Sequence, residues 1–160
     1  MTIHVGDALP EGAFAVMDED GVKTVTTKEI FDGKKVVLFA VPGAFTPTCS
    51  AQHLPGYLHS YEDLKAKGVD TIACMSVNDV FVMDAWGKSQ NVDSKVMMLA
   101  DGNGDYTKAL GLELDASGFG MGGRSQRFAL IAENGTVTAL HIEDGGEFRV
   151  SSAEAILAAL

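Results

Sequence analysis

The stretch Lys35-Val36-Val37-Leu38-Phe39-Ala40-Val41, stopped by Pro42-Gly43 and continued by Ala44-Phe45-Thr46-Pro47-Thr48-Cys49, decides the fold. Its short, continuous apolar run is typical of a strand buried on both faces. After Pro47, Leu54, Tyr57, Leu58, Tyr61 and Leu64 recur at helical spacing, which predicts a helix that ends at Gly68 as its C-terminal cap. Pro55 has no N–H and its ring crowds the preceding turn, so a kink is expected there.

Working outward, the alternation continues. Phe14 to Val25 reads as a hairpin around Asp18-Glu19-Asp20-Gly21. A strand near Ile72 to Val77 is followed by a helix from Val80 to Gln90 with Asp79 as N-cap, then by a strand at Val96 to Ala100. A short helix near Tyr106 to Leu110 leads into a glycine-rich loop. Arg127 to Ala132 and Thr136 to Ile142 then flank Glu133-Asn134-Gly135 as a second hairpin. A last helix starts at Ser151-Ser152-Ala153-Glu154, which fits a capping box. Parallel strands in the middle, an antiparallel hairpin at the end and helices on both faces predict an α/β, thioredoxin-like fold: a mixed central sheet flanked by helices, with an N-terminal hairpin.

The chain has 160 residues, close to one ordinary domain, so a single domain over 1–160 is expected. A domain of this size buries about 69% of its unfolded surface, enough for a core without disulfide staples. Twelve basic against 22 acidic residues give a net charge of −10, which argues against nucleic acid and anionic membrane as partners. No apolar run approaches the roughly 18 residues of a membrane span. The segment MTIHVGDALPEG lacks the basic flank and apolar block of a signal peptide, and a cytoplasmic protein is the expectation.

Two cysteines, Cys49 and Cys74, are too few for a disulfide framework, so each is judged as a reactive thiol. Cys49 falls in the first turn of its predicted helix, where unpaired N–H groups and the positive end of the helix dipole favour thiolate over thiol. It is expected to be a nucleophile. A thioredoxin dithiol needs a cysteine three residues earlier, where Thr46 stands, so dithiol exchange within one motif is excluded. Cys74 lies in an apolar strand. It reads either as a core thiol or as a resolving or glutathionylated one.

Pro42-x-x-x-Thr46-x-x-Cys49 resembles the active-site signature of the peroxiredoxins, thiol peroxidases that reduce hydroperoxides. The chain is similar to the type II, or peroxiredoxin 5, group over nearly its whole length. The resemblance runs through Pro42 to Ser50, His53-Leu54-Pro55-Gly56-Tyr57, Ser76 to Met83 with Ala85-Trp86, and Gln126-Arg127-Phe128. It implies that Cys49 is the peroxidatic cysteine, that Thr46 and Arg127 complete its polar site, and that Pro42 shields the sulfur from water. It also implies a homodimer formed through loops that here include Phe45, Phe81 and Phe119. One departure is plain. Some members carry a third, resolving cysteine near the C-terminus, and here that region reads Phe148-Arg149-Val150-Ser151-Ser152.

The chemistry can be argued apart from the resemblance. When a thiolate attacks a peroxide, negative charge spreads over sulfur and two oxygens, and donors aimed there lower the barrier. Arg127, the Thr46 hydroxyl and first-turn N–H groups are donors of the right kind. The product is a sulfenic acid, which a second thiol must return to thiol.

Other features have plainer readings. Arg124, beside the glycine loop, is secondary to Arg127. His53, four residues after Cys49, could pair with it as metal ligand or nucleophile base, but a helix-surface residue is the expectation. Gly118-Phe119-Gly120-Met121-Gly122-Gly123, with acidic Glu143 twenty residues on, matches a dinucleotide pattern, yet a strand and not a helix is expected to follow it. A mobile loop near the site is the better account. Trp86 and the methionines are expected in core or interface, and the acidic residues on a solvated surface.

The leading functional expectation is a peroxidase acting on hydrogen peroxide and alkyl hydroperoxides, with glutathione and glutaredoxin, or thioredoxin, as reductant by resemblance. It needs no cofactor or metal. The alternative is a peroxide sensor or redox relay in which oxidised Cys49 passes its oxidation to a partner. A cysteine hydrolase is third, since no histidine and acid pair is placed.

Overall fold

The computed structural model describes residues 2–160; only Met1 of the N-terminal segment lies outside them. Strand β3 (Lys35–Ala40) is central because its side chains are apolar on both faces. Val37 and Phe39 enter one core, and Val36, Leu38 and Ala40 enter the other. It pairs in parallel with β4 (Thr71–Ser76), which pairs in parallel with β5 (Met97–Ala100). On its other side it pairs antiparallel with β8 (Phe128–Glu133), the inner strand of a hairpin with β9 (Thr136–Ile142). Asn134 and Gly135 make that turn at φ 50° and 78°, the left-handed pair that a two-residue hairpin needs. The N-terminal hairpin, β1 (Ala13–Asp18) with β2 (Gly21–Thr26), joins the sheet at β5. Among the described residues the sheet has seven strands in the order β2-β1-β5-β4-β3-β8-β9, the mixed α/β, thioredoxin-like arrangement expected.

Helix α1 (Thr27–Phe31) is capped by the Thr26 side chain and was not foreseen, since only Ile30 and Phe31 in its five residues are large and apolar. The helix expected after Pro47 is divided. A π-helix (Cys49–His53) runs into α2 (Leu54–His59), and α3 (Tyr61–Ala66) follows after a break at Ser60. Pro55 is therefore not a kink inside a long α-helix. Leu54 N–H reaches five residues back to the Cys49 carbonyl, and in that register the partner of residue 55 would be Ser50. Proline has no N–H, and the Ser50 carbonyl accepts instead from Nε2 of Gln90 at 3.2 Å. Gln90 is the C-cap of α4 (Val80–Ser89), whose N-cap is Asp79 as expected and whose buried Trp86 donates to the Ser50 hydroxyl at 3.0 Å.

Helix α5 (Asp105–Leu110) precedes a small antiparallel pair, β6 (Glu113–Asp115) with β7 (Gly123–Ser125), around a 3-10 turn (Ser117–Phe119). The glycine run is thus framed by two short strands, and β7, not a helix, follows it. The final helix α6 (Ala153–Ala159) corrects the expected capping box. Ser152, not Ser151, caps it by accepting from Ala155 N–H, because the Ser151 hydroxyl is committed to Glu143 at 2.6 Å. Among the described residues no helix is long and apolar enough to cross a membrane.

Candidate active site

The site lies where β3 ends. Val41 still bonds to the Met75 carbonyl, and Pro42-Gly43 then turns the chain out of the sheet. Asn78 pins this turn, its side-chain oxygen accepting from Ala44 N–H at 3.0 Å and from the Ser76 hydroxyl at 2.6 Å. Arg124 pins it as well. Its guanidinium donates to the carbonyls of Met121 at 2.9 Å and Pro42 at 3.3 Å. Gly43 permits that approach, since a Cβ there would stand 3.0 Å from Nη1 of Arg124. Phe45 holds a left-handed backbone at φ 63°, a costly state for a bulky side chain, with its ring exposed to solvent.

Pro47 and Thr48 begin the helical turn, and Ser50 N–H bonds back to the Thr46 carbonyl at 2.9 Å, so Cys49 stands in the first turn as expected. Its sulfur is inaccessible to solvent. Nη2 of Arg127, a buried side chain entering from the start of β8, donates to Sγ at 3.1 Å. Cys49 and Arg127 are therefore brought together across 78 residues of sequence. Thr46 corrects one expectation: its hydroxyl donates to the Gly43 carbonyl at 2.7 Å, so its proton is not free for the sulfur and its lone pairs remain as acceptors. Pro42 is half-buried at the exit of the strand, with its carbonyl engaged by Arg124.

His53 is the chief residue misjudged from sequence. It is not on a helix surface but fully buried, with Nδ1 at 2.8 Å from Nη1 of Arg127 and Nε2 at 3.0 Å from the Ser151 carbonyl. A guanidinium can only donate, so Nδ1 accepts and the proton sits on Nε2. Burial, and then the Arg127 charge, pull its pKa from 6.5 to about 3, which keeps the ring neutral. Both nitrogens are engaged, leaving neither for a metal. Aromatic rings enclose the pair. Phe39 lies 4.8 Å and Phe148 5.0 Å from the His53 ring, and the Arg127 guanidinium stands 5.9 Å from the Phe148 ring centre. The spacing of four residues puts His53 on the same helix face as Cys49, but nothing local says that this face turns inward.

Cys74 faces Phe39 directly across β3 and β4, fully buried in the same core cluster as Cys49. Both thiols are free. Burial, with Cys49 nearby, pushes the Cys74 thiol well above its ordinary value. Phe81 and Phe119, like Phe45, are exposed.

A buried thiol held by a guanidinium, on a turn ruled by proline and threonine, can be compared with known proteins. The redoxin family matches residues 4–157. Peroxiredoxin-2D of Arabidopsis thaliana is 55% identical over 159 residues, covering 99% of this chain and 98% of the relative. Among solved structures, reduced Prx3 of Vibrio vulnificus in complex with hydrogen peroxide is similar at TM-score 0.95 and 56% identity, covering 99% of each chain. Peroxiredoxin 5 of Alvinella pompejana is similar at TM-score 0.87 and 37% identity, covering 98% of this chain and 97% of that one. The chain belongs to the redoxin family and, within it, to the type II peroxiredoxins, the thiol peroxidases.

Proposed function

We propose that the chain reduces hydrogen peroxide and small alkyl hydroperoxides through a sulfenic acid on Cys49, and that an external thiol reduces that acid. The observation that carries the reading is the 3.1 Å contact from Nη2 of Arg127 to the Cys49 sulfur. The thiolate attacks the terminal oxygen of the peroxide; an S–O bond forms, the O–O bond breaks, and an alkoxide or hydroxide leaves and takes up a proton. Sulfur is oxidised and peroxide reduced by two electrons. The guanidinium faces the charge as it spreads from sulfur to oxygen, in a site closed to water, where such a donor is most effective. Thr46, its own proton committed to Gly43, accepts from the O–H of the incoming peroxide and orients it. The inaccessibility of Cys49 supports Pro42 as part of the shield around the sulfur.

Turnover then needs two thiols. The first condenses with the sulfenic acid, releasing water and leaving a mixed disulfide; the second attacks that disulfide and frees Cys49. The only other cysteine of the chain is Cys74, and its burial in β4 favours an external donor: glutathione with glutaredoxin, or thioredoxin. A reducing compartment such as the cytoplasm supplies these thiols. Phe45, Phe81 and Phe119 are the proposed contacts of a homodimer.

The deciding experiment is a reconstituted assay in which hydrogen peroxide and an alkyl hydroperoxide are each offered with glutathione plus glutaredoxin and with thioredoxin. Many turnovers per Cys49 with at least one donor are expected. A single stoichiometric oxidation that ends in a stable mixed disulfide to one protein would replace this reading with the relay.

A further inference from the structure

Glu143 stands just past β9 with 5% of its surface exposed, and the peroxidase chemistry described above makes no use of it. Among the described residues no Lys, Arg or His side chain forms an ion pair with it. Its carboxylate is held by three successive residues of the segment before α6. It accepts from Arg149 N–H at 2.8 and 2.9 Å, Val150 N–H at 2.9 Å, Ser151 N–H at 2.8 Å and the Ser151 hydroxyl at 2.6 Å. Burial works to raise this carboxyl, and the Ser151 hydroxyl with the three backbone N–H groups outweighs it, holding the pKa below its ordinary value. Bonds of this charge-assisted kind are strong, so the peptide of Ser151 is fixed in place.

The Ser151 carbonyl is in turn the acceptor for Nε2 of His53 at 3.0 Å and for the Tyr57 hydroxyl at 2.8 Å. His53 presents Nδ1 to Arg127, and Arg127 reaches Cys49. The path also closes on itself, because Glu143 N–H donates to the Arg127 carbonyl at 2.9 Å. One circuit of hydrogen bonds therefore leaves the backbone of Arg127 through Glu143, Ser151 and His53 and returns to its guanidinium.

We propose that Glu143 is a positioning residue for peroxide reduction: acting through Ser151 and His53, it sets the direction in which Arg127 faces the Cys49 sulfur. Without the carboxylate, the Ser151 peptide loses the anchor on its N–H and hydroxyl, and besides His53 only the Tyr57 hydroxyl still holds its carbonyl. The ring can then take its other tautomer, place N–H against the guanidinium, and turn Arg127 away from sulfur. The inference rests on Arg127 acting at that sulfur.

The test measures the rate of Cys49 oxidation by hydrogen peroxide, per folded molecule, in wild type, Glu143→Gln, Ser151→Ala and Arg127→Ala, together with the ring nitrogen signals of His53 by NMR at pH 7. Glu143→Gln keeps the shape but sets an amide N–H₂ among backbone donors. About a tenfold slower oxidation is expected, with a mixture of His53 tautomers; Ser151→Ala, which loses one bond, shows a smaller loss in the same direction. Oxidation of Glu143→Gln within twofold of wild type, with unchanged His53 signals and only a lower melting temperature, overturns the proposal. So does a wild-type His53 that is charged or protonated at Nδ1, whatever the variants do. Should Glu143→Gln not fold, Ser151→Ala decides: wild-type behaviour in both measurements overturns the proposal. A wild-type rate in Arg127→Ala would instead remove the underlying role of Arg127, and so the two failures are distinct.

Discussion

Nη1 of Arg127 donates to Nδ1 of His53 at 2.8 Å, and the ring that accepts it is fully buried. With its pKa drawn from 6.5 to about 3, His53 enters the folded state neutral, whereas in the unfolded chain it takes a proton below pH 6.5. The unfolded state then binds more protons, so this contribution to stability is complete above pH 6.5 and is lost as the pH falls toward 3. The slope approaches about 1.4 kcal/mol per pH unit. Urea unfolding between pH 7.5 and 5 is expected to show it in wild type and not in His53→Gln. Glu143, held below its ordinary 4.5, adds its own loss only at lower pH, which leaves this window to the histidine. An equally steep slope in the variant would place its origin elsewhere.

The guanidinium of Arg127 divides one fork between two partners, Cys49 and His53. Arg127→Ala should slow Cys49 oxidation at least 10²-fold, about 2.7 kcal/mol, the loss of one well-placed donor. Arg127→Lys should recover only part of it, since an ammonium has no planar fork to serve both. Stopped-flow mixing with hydrogen peroxide measures both. An alanine rate within threefold of wild type would pass the role to Arg124 or to first-turn N–H groups.

Cys74 lies within β4, closed in by β3 and β5. Cys74→Ser is expected to keep most peroxidase activity with an external thiol, while Cys49→Ser has none. Peptide mapping after peroxide treatment should find no bond between the two cysteines. A disulfide needs Cα atoms roughly 4.4–6.8 Å apart with their side chains aimed at each other, and here Cys49 sits in a helical turn while Cys74 is fixed inside a strand. Loss of turnover in Cys74→Ser with every donor, with a mapped Cys49 to Cys74 bond, would establish an internal resolving step.

Gly12 is held without a side chain by a neighbour. A Cβ there would lie 2.6 Å from Cδ1 of Tyr106, a buried ring packed edge-on against Phe14 at 4.9 Å. Gly12→Ala should destabilise the chain by about 1–3 kcal/mol, the range for overpacking. Thermal unfolding checks this. An unchanged melting temperature would mean that the Tyr106 ring moves freely, contrary to its packing.

Phe81 and Phe119 are 66% and 86% exposed, unusual for large apolar side chains. If they seal a homodimer, Phe81→Asp with Phe119→Asp should sediment as a monomer at micromolar concentration. A variant that sediments like wild type would exclude these rings from the contact.

Legibility followed locality. β3 could be read because both of its faces are apolar, and both hairpins because Asp20-Gly21 and Asn134-Gly135 state their turns in adjacent residues. Asp79 was readable as a cap for the same reason. β6 and β7 are three residues each and exist only through each other, so neither has a pattern of its own. The site divides in the same way. Cys49, Thr46 and Pro42 lie within eight residues and announce a helix start, whereas the burial of His53 depends on Ser151, 98 residues away. Glu143 looked like one more surface acid because its five hydrogen-bonded contacts come from backbone and hydroxyl groups with no charge signature.

Helix α6 takes its cap from Ser152, next to the residue that meets both Glu143 and His53, and Ile156 anchors it in the core that also contains Cys49. Residues 149–160 therefore form one wall of the core that holds Cys49. Proteolytic clipping ahead of Arg149 would strip that wall while leaving the Pro42 to Cys49 motif intact. Preparations that differ only in such clipping should differ in peroxide reactivity, a variation that sequencing the motif would never reveal.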